Sequence, residues 1–300
     1  MKSRRIAAVA ALVIGFFAAE LPADQGIQII PVGNYDTLAT GDRVINSTGG
    51  GVLLLDEPSM FVGRYAYQSI EPVQQPGDPT RFHAIEALYD GSKGRHRFLT
   101  LSKATSDSPV AGGWHTFQAA SVYGYTILEG PRSSLTVGGG LALSDFGIET
   151  ETGRTWPLLP VPFVQASFNS PLVELAFDFI TGPNLTMVLA PERDLRLVAD
   201  VRLDQFRDVQ DILFEAALAY RLLSVGVANQ SFSVDLAKEE KTVDIGSYTA
   251  FAEVDLTILT VSGGYAFAGW ERRDDVLETD TGDGFFLSVQ ALLPLGGGDR

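Results

Sequence analysis

The chain contains no cysteine. That excludes disulfides, thiolate metal sites, a cysteine nucleophile and an N-terminal lipidated cysteine. Beyond residue 23 it also lacks any long uninterrupted apolar run. No later segment can therefore cross an inner membrane as a helix, which takes about 20 apolar residues. Bases are scarce: 22 Lys and Arg stand against 37 Asp and Glu, for a net charge of −15. So acidic a balance argues against nucleic acid, or an anionic membrane surface, as a partner. The three histidines, His83, His96 and His115, lie apart, and none has a second histidine at metal spacing. There is no Gly-x-Ser-x-Gly elbow. Gly138-Gly139-Gly140 lacks the Gly-Lys-Ser/Thr ending of a phosphate loop and reads as a bend or close approach in a curved sheet. No cofactor and no metal site is implied, and the chain is read as a non-enzyme.

What is present begins at the N-terminus. Lys2, Arg4 and Arg5 precede Ile6 to Ala19, 14 residues without a charge. Leu21-Pro22-Ala23 then supplies a helix breaker and a small residue, the pattern of a secretory signal peptide. Cleavage is expected after Ala23, with Ala19 as the alternative, so residues 1–23 are an export signal. Residues 24–58 are mixed and turn-rich. They are expected to be a periplasmic lead or a plug.

From about Ser59 the chain alternates. In Leu195 to Asp204, LRLVADVRLD, Leu195, Leu197, Ala199, Val201 and Leu203 fall on one face of a strand, and Arg196, Asp200, Arg202 and Asp204 on the other. Residues 246–256 split likewise: Tyr248, Ala250, Ala252, Val254 and Leu256 oppose Thr249, Phe251, Glu253 and Asp255. Helical periodicity fits these windows poorly. Strands are expected at 59–69, 80–89, 94–103, 113–127, 134–144, 158–168, 171–180, 184–190, 194–204, 211–221, 225–236, 246–256, 259–270 and 283–294. Short connections alternate with longer polar ones, the latter including Ala237 to Ile245 and Glu271 to Gly282. Within 225–236, Phe232, Val234 and Leu236 are expected on the greasy face, opposite Asn229, Ser231, Ser233 and Asp235. Tyr65, Tyr67, Phe177, Phe179, Tyr220, Trp270 and Phe285 fall near strand ends, as interfacial girdles do.

The export signal, the alternating strands and the final GFFLSVQALLPL resemble a Gram-negative outer-membrane β-barrel. In that terminal strand Phe285, Leu287, Val289, Ala291 and Leu293 occupy every second position. The resemblance implies an all-β fold, a transmembrane antiparallel barrel of about 14 strands with 12 as the alternative. It spans residues 59–295, leaving 296–300 as a tail that departs from the aromatic ending usual in the class. Strand number and the extra N-terminal residues are distantly similar to the fourteen-stranded long-chain fatty-acid transporters. The implied location is the outer membrane. The implied partners are outer-membrane lipid, the outer-membrane assembly machinery and small solutes.

Placing charge on a lipid face costs roughly 2–4 kcal/mol for a mid-depth Arg or Lys. The ionic faces are therefore expected to line the lumen, with Glu86, Glu174, Asp178, Asp200, Asp204, Glu215, Glu253 and Asp255 as acids and Arg64, Arg196, Arg202 and Arg221 as bases. An acidic excess there favours cations and polar solutes in a passive channel or small-solute transporter. The alternative is a plugged structural or surface-interaction barrel in which these charges pair. A soluble secreted β-protein and an outer-membrane enzyme rank below both.

Overall fold

The computed structural model describes residues 28–41, 43–56, 58–71, 79–109, 116–144, 157–179, 182–203, 212–238, 241–256, 258–273 and 276–292, with backbone alone at 277–279. They form β1 (Gln28–Thr40), β2 (Arg43–Asp56), β3 (Ser59–Glu71), β4 (Arg81–Lys93), β5 (His96–Ser106), β6 (Gln118–Glu129), β7 (Ser133–Leu143) and β8 (Leu158–Asn169). The second half forms β9 (Val173–Phe179), β10 (Pro183–Leu189), β11 (Leu195–Leu203), β12 (Ile212–Tyr220), β13 (Leu223–Leu236), β14 (Lys241–Asp255), β15 (Leu259–Arg273) and β16 (Val276–Leu292). Each strand pairs antiparallel with its sequence neighbours, and β1 pairs with β16, so the sheet closes into a barrel.

The barrel has 16 strands, not the 14 or 12 expected from the sequence. The two additional strands, β1 and β2, come from the segment expected to be a lead or plug. Their polarity does not alternate visibly. Asn34, Asp36 and Ser47 point inward, but the outward positions are filled by residues such as Asn46, Thr48 and Gly50. What holds the segment in the wall is backbone pairing: Val32 to Thr40 against Leu292 to Gly284, and Gln28 to Thr40 against Leu55 to Arg43. Gly41 makes the turn between them at φ 58°, where a Cβ would stand 1.6 Å from the Thr281 carbonyl oxygen. The export signal at 1–23 and the tail at 296–300 lie outside the described residues.

Two expected loops are also strand. β14 starts at Lys241, and β15 continues to Arg273 with β16 starting at Val276. The reason is a change of hydrophobic phase along the strands. In β13, Val225 and Val227 face outward and are 54% and 44% exposed, whereas Val234 faces inward and is 1% exposed. In β14, Tyr248 and Val254 face out, but Val243 and Ile245 face in and are buried. The same inversion occurs in β2 (Leu54 out, Ile45 in), β3 (Phe61 and Tyr67 out, Ile70 in), β4 (Ile85 and Tyr89 out, Phe82 in) and β16 (Phe285 and Leu287 out, Phe286 in). Phe232, Val234 and Leu236, expected on the greasy outer face, instead pack inside the barrel. Leu38, Ile45, Ile70, Phe82, Val234, Leu236, Val243, Ile245, Ala266 and Phe286 form one buried cluster there.

Elsewhere glycine and proline occupy positions that backbone geometry explains. A Cβ on Gly138 or Gly140 would stand 1.9 Å or 2.0 Å from a β6 carbonyl oxygen, so these glycines permit close strand approach. Pro160 and Pro162 sit in β8 before its pairing with β9 begins at Val164, where a missing N–H leaves no ladder bond unmade on that side.

Candidate functional site: the barrel lumen

Strand register assigns the inner wall. On β3–β5, Arg64, Glu86 and Lys103 are cross-strand partners in one row, so charge alternates across the wall. On β9–β11, Asn184 Nδ2 donates to Asp178 Oδ2 at 3.2 Å, and Thr186 Oγ1 donates to Asp200 Oδ2 at 2.7 Å. Arg202 Nε donates to Asp200 Oδ1 at 2.8 Å. Glu215 lies directly opposite Asp200 on β12. On β14–β16 and β1, Glu253 pairs with Ser262, Ser262 with Ser288, and Ser288 Oγ donates to Asp36 Oδ1 at 2.6 Å. Asn34 Nδ2 donates to Asp36 Oδ2 at 2.7 Å.

These groups line adjoining cavities. One of 340 Å³ lies between Glu86, Lys103 and Gln118 on one wall and Asp178, Asn184 and Arg202 on the facing wall. One of 390 Å³ is lined by Asp36, Asp200, Arg202, Glu215, Glu253 and Gln290 among others. Two more, of 310 Å³ and 290 Å³, share Gln68, Glu86 and Phe232. Phe232 borders three of the four, so its ring stands where they meet.

Seven of the sequence-predicted residues therefore come together in the lumen: Arg64, Glu86, Asp178, Asp200, Arg202, Glu215 and Glu253. Glu174, Arg196 and Asp255 keep the inward register but sit near the short-turn rim. Arg221 is not in the lumen. It occupies the turn between β12 and β13 at φ 53°, where its exposed guanidinium meets Asp194 at 3.4 Å and lies over the Tyr220 ring. Reading it as the last residue of a strand placed it on a face that the chain leaves one residue earlier. Asp204 lies outside the described residues.

Sequence reasoning missed Asn34, Asp36 and Ser47 because their strands were not recognised. It missed Lys103 because Leu99 and Leu101, on the same inward face of β5, are apolar and pack in a second buried cluster with Val122 and Phe163. An apolar inner wall erases the contrast that alternation depends on.

The outer face decides what surrounds the barrel. Tyr35, Phe61, Tyr67, Ile85, Phe98, Tyr123, Leu141, Phe168, Leu185, Leu197, Leu218, Val225, Tyr248, Tyr265 and Leu287 are all exposed on it. Along β3–β5 and β9–β12 the outward positions between these residues carry no Asp, Glu, Lys or Arg, and Asp283, which accepts from the Tyr265 hydroxyl at 2.7 Å, stands at the belt's edge. An apolar surface closed around a whole barrel far exceeds the patches of a few hundred Å² found on soluble monomers. The chain is an outer-membrane β-barrel. Its aromatic girdles follow the two edges of the belt. Toward one, Tyr65 Oη lies 2.8 Å from His83 Nδ1 with Tyr67 edge-on to the same imidazole; toward the short-turn rim, Tyr123 Oη lies 2.6 Å from His96 Nδ1 with Tyr125 edge-on. The ring bodies suit acyl chains and the polar tips suit headgroups. His115 lies outside the described residues.

No protein-family model and no curated protein matches the sequence. Among solved structures, the barrel is similar to Pseudomonas aeruginosa OccK2 (OpdF), solved in complex with glucuronate, at 10% identity over 91% of this chain and 99% of that one, with a TM-score of 0.40. It is similar to Acinetobacter baumannii OccAB3 at 9% identity, over 91% of this chain and all of that one, with a TM-score of 0.37. A loop-deletion mutant of OmpT, an outer membrane protein of Vibrio cholerae, matches at 10% identity over 89% of this chain and 98% of that one, with a TM-score of 0.33.

Proposed function

We propose that the barrel is a passive channel for small polar solutes with a preference for cations, and that it performs no catalysis. The observation that carries this reading is the run of adjoining cavities whose walls hold Asp36, Glu86, Asp178, Asp200, Glu215 and Glu253 against Arg64, Lys103 and Arg202. An acidic excess inside a low-dielectric wall raises the local concentration of cations and opposes anions. In the same reading residues 1–23 direct export, and the assembly machinery of the outer membrane inserts the barrel. Reconstitution in planar bilayers tests it. Discrete current steps are expected, with a reversal potential displaced toward the cation equilibrium in a salt gradient. Silence at all voltages removes the channel.

A second reading, a structural barrel with a blocked lumen, draws on the buried apolar cluster of Leu38, Ile45, Phe82, Val234, Ile245 and Phe286. It predicts no current from a correctly inserted barrel.

A further inference from the structure

The wall forks. β13 pairs with β12 only as far as Ala228 opposite Glu215. At the next residue the Asn229 side chain takes over, its Oδ1 accepting the Phe214 N–H and its Nδ2 donating to the Ile212 carbonyl, each at 2.5 Å. Those are the backbone groups that a continuing β13 would have satisfied. β5 likewise pairs with β6 only as far as Lys103 opposite Gln118. Past these points β5 and β13 lean toward each other across the lumen and meet. Ser106 and Asp235 form a parallel bridge, the Ala237 N–H donates to Asp107 Oδ1 at 2.9 Å, and the Ser106 hydroxyl donates to the same oxygen at 3.2 Å.

We infer that β13–β16 and β1–β5 close beyond the apolar belt into a dry roof over one half of the barrel. Passage is thereby confined to the other half, between β5 and β13 on the β6–β12 side. This rests on the channel reading for what passes and extends it to where. Three observations support the roof. The inward phase of β13, Phe232, Val234 and Leu236, packs on the buried cluster, while Ser231 and Ser233 on its other face border the 310 Å³ cavity. Among the described residues, the cavity lined by Arg43, Ile70, Phe82, Val234, Ile245 and Glu271 measures only 20 Å³, about the space of one water. Arg43, Glu271 and Arg273 are buried at its centre, with Glu271 Oε2 3.2 Å from Arg43 Nε and Oε1 3.8 Å from Arg273 Nη2. Carboxylate and guanidinium locked this way fill space that a solute would need. Asp107 and Asn229 are then positioning residues, because they hold the two strands at the fork and so set the cross-section left for transport.

The absence of native cysteine makes the test direct. In the full-length barrel in lipid vesicles, Ser106→Cys with Asp235→Cys is expected to cross-link on mild oxidation in most molecules, seen as a mobility shift on unheated gels. A membrane-impermeant thiol reagent, added on both sides, is expected to modify Gln118→Cys at least a hundredfold faster than Val234→Cys. Val234→Cys nearly conserves volume, so folding is retained. Where current is measured, oxidation of the seam pair leaves it unchanged, and Asp107→Ala raises it at least twofold. Equal labelling of Val234→Cys and Gln118→Cys, or a seam pair that never cross-links, overturns the roof. A silent bilayer with a cross-linked seam and protected Val234→Cys removes the channel reading and leaves the roof standing.

Discussion

The inversion of hydrophobic phase within single strands makes a prediction that β13 can test against itself. Val227 faces outward in the lipid belt, and Val234 faces inward in the roof. Val→Ala removes about two methylene equivalents, worth about 0.8 kcal/mol each. At Val234 the vacated space is walled by Ile245, Val243 and other fixed side chains, so a cavity term adds to the transfer term. The expected loss is about 2–3 kcal/mol. At Val227 an acyl chain relaxes into the space, no cavity persists, and the loss is under about 0.5 kcal/mol, within the range of surface substitutions. Arginine reverses the ranking on the outer face. Val227→Arg costs roughly 2–4 kcal/mol in lipid. Val44→Arg, outward on β2 beyond the belt and opposite Glu71, costs under about 0.5 kcal/mol. Equilibrium urea unfolding in vesicles, with refolding checked from both directions, measures all four. Equal losses for Val227→Ala and Val234→Ala, or a neutral Val227→Arg, would refute the assignment of lipid and roof.

Three further outcomes follow from named contacts. Glu271→Gln strips the carboxylate that Arg43 and Arg273 share in a buried setting, and about 3–5 kcal/mol of stability is expected to go with it, read by urea unfolding. Gly41→Ala forces a Cβ against the Thr281 carbonyl at a left-handed φ. The melting temperature on semi-native gels should fall, and an unchanged value would show that the β1–β2 turn does not have this form. Glu215→Gln combined with Glu253→Gln removes two of the acids around the 390 Å³ cavity, so the reversal potential should move toward that of a non-selective pore while unitary conductance changes little.

Where the two faces differ in polarity, the sequence was legible. In Leu195 to Leu203 the alternation can be read directly: Leu195, Leu197 and Val201 are exposed on the outer face while Asp200 and Arg202 border a cavity inside, because leucine belongs in lipid and ionic side chains in water. Legibility failed where a strand has the same character on both faces. β1 and β2 mix apolar with polar residues on both faces, Leu38 and Ile45 facing in with Asp36 and Ser47, and Tyr35 and Leu54 facing out with Asn46 and Thr48, so they passed for a lead. The 237–245 and 271–282 stretches, polar on average, passed for loops, although Val243 and Ile245 are buried in the roof and pair with Arg273 and Glu271.

Sequence alone therefore determined the kind of object: a cysteine-free, acidic, β-alternating chain with the pattern of an export signal, suited to a lipid-facing barrel. It did so through local rules, side-chain alternation and the transfer cost of charge. Tertiary structure decided the rest. The count of 16 strands depends on which backbones pair around a closed ring. The inward turn of Phe232, Val234 and Leu236 depends on what surrounds each level of the barrel, since the same strand seeks lipid at one height and a protein core at another. The seam at Ser106 and Asp235 joins residues far apart in the chain, and it arises only because β5 and β13 each outlast a neighbour's pairing. No local pattern encodes where two such strands will meet.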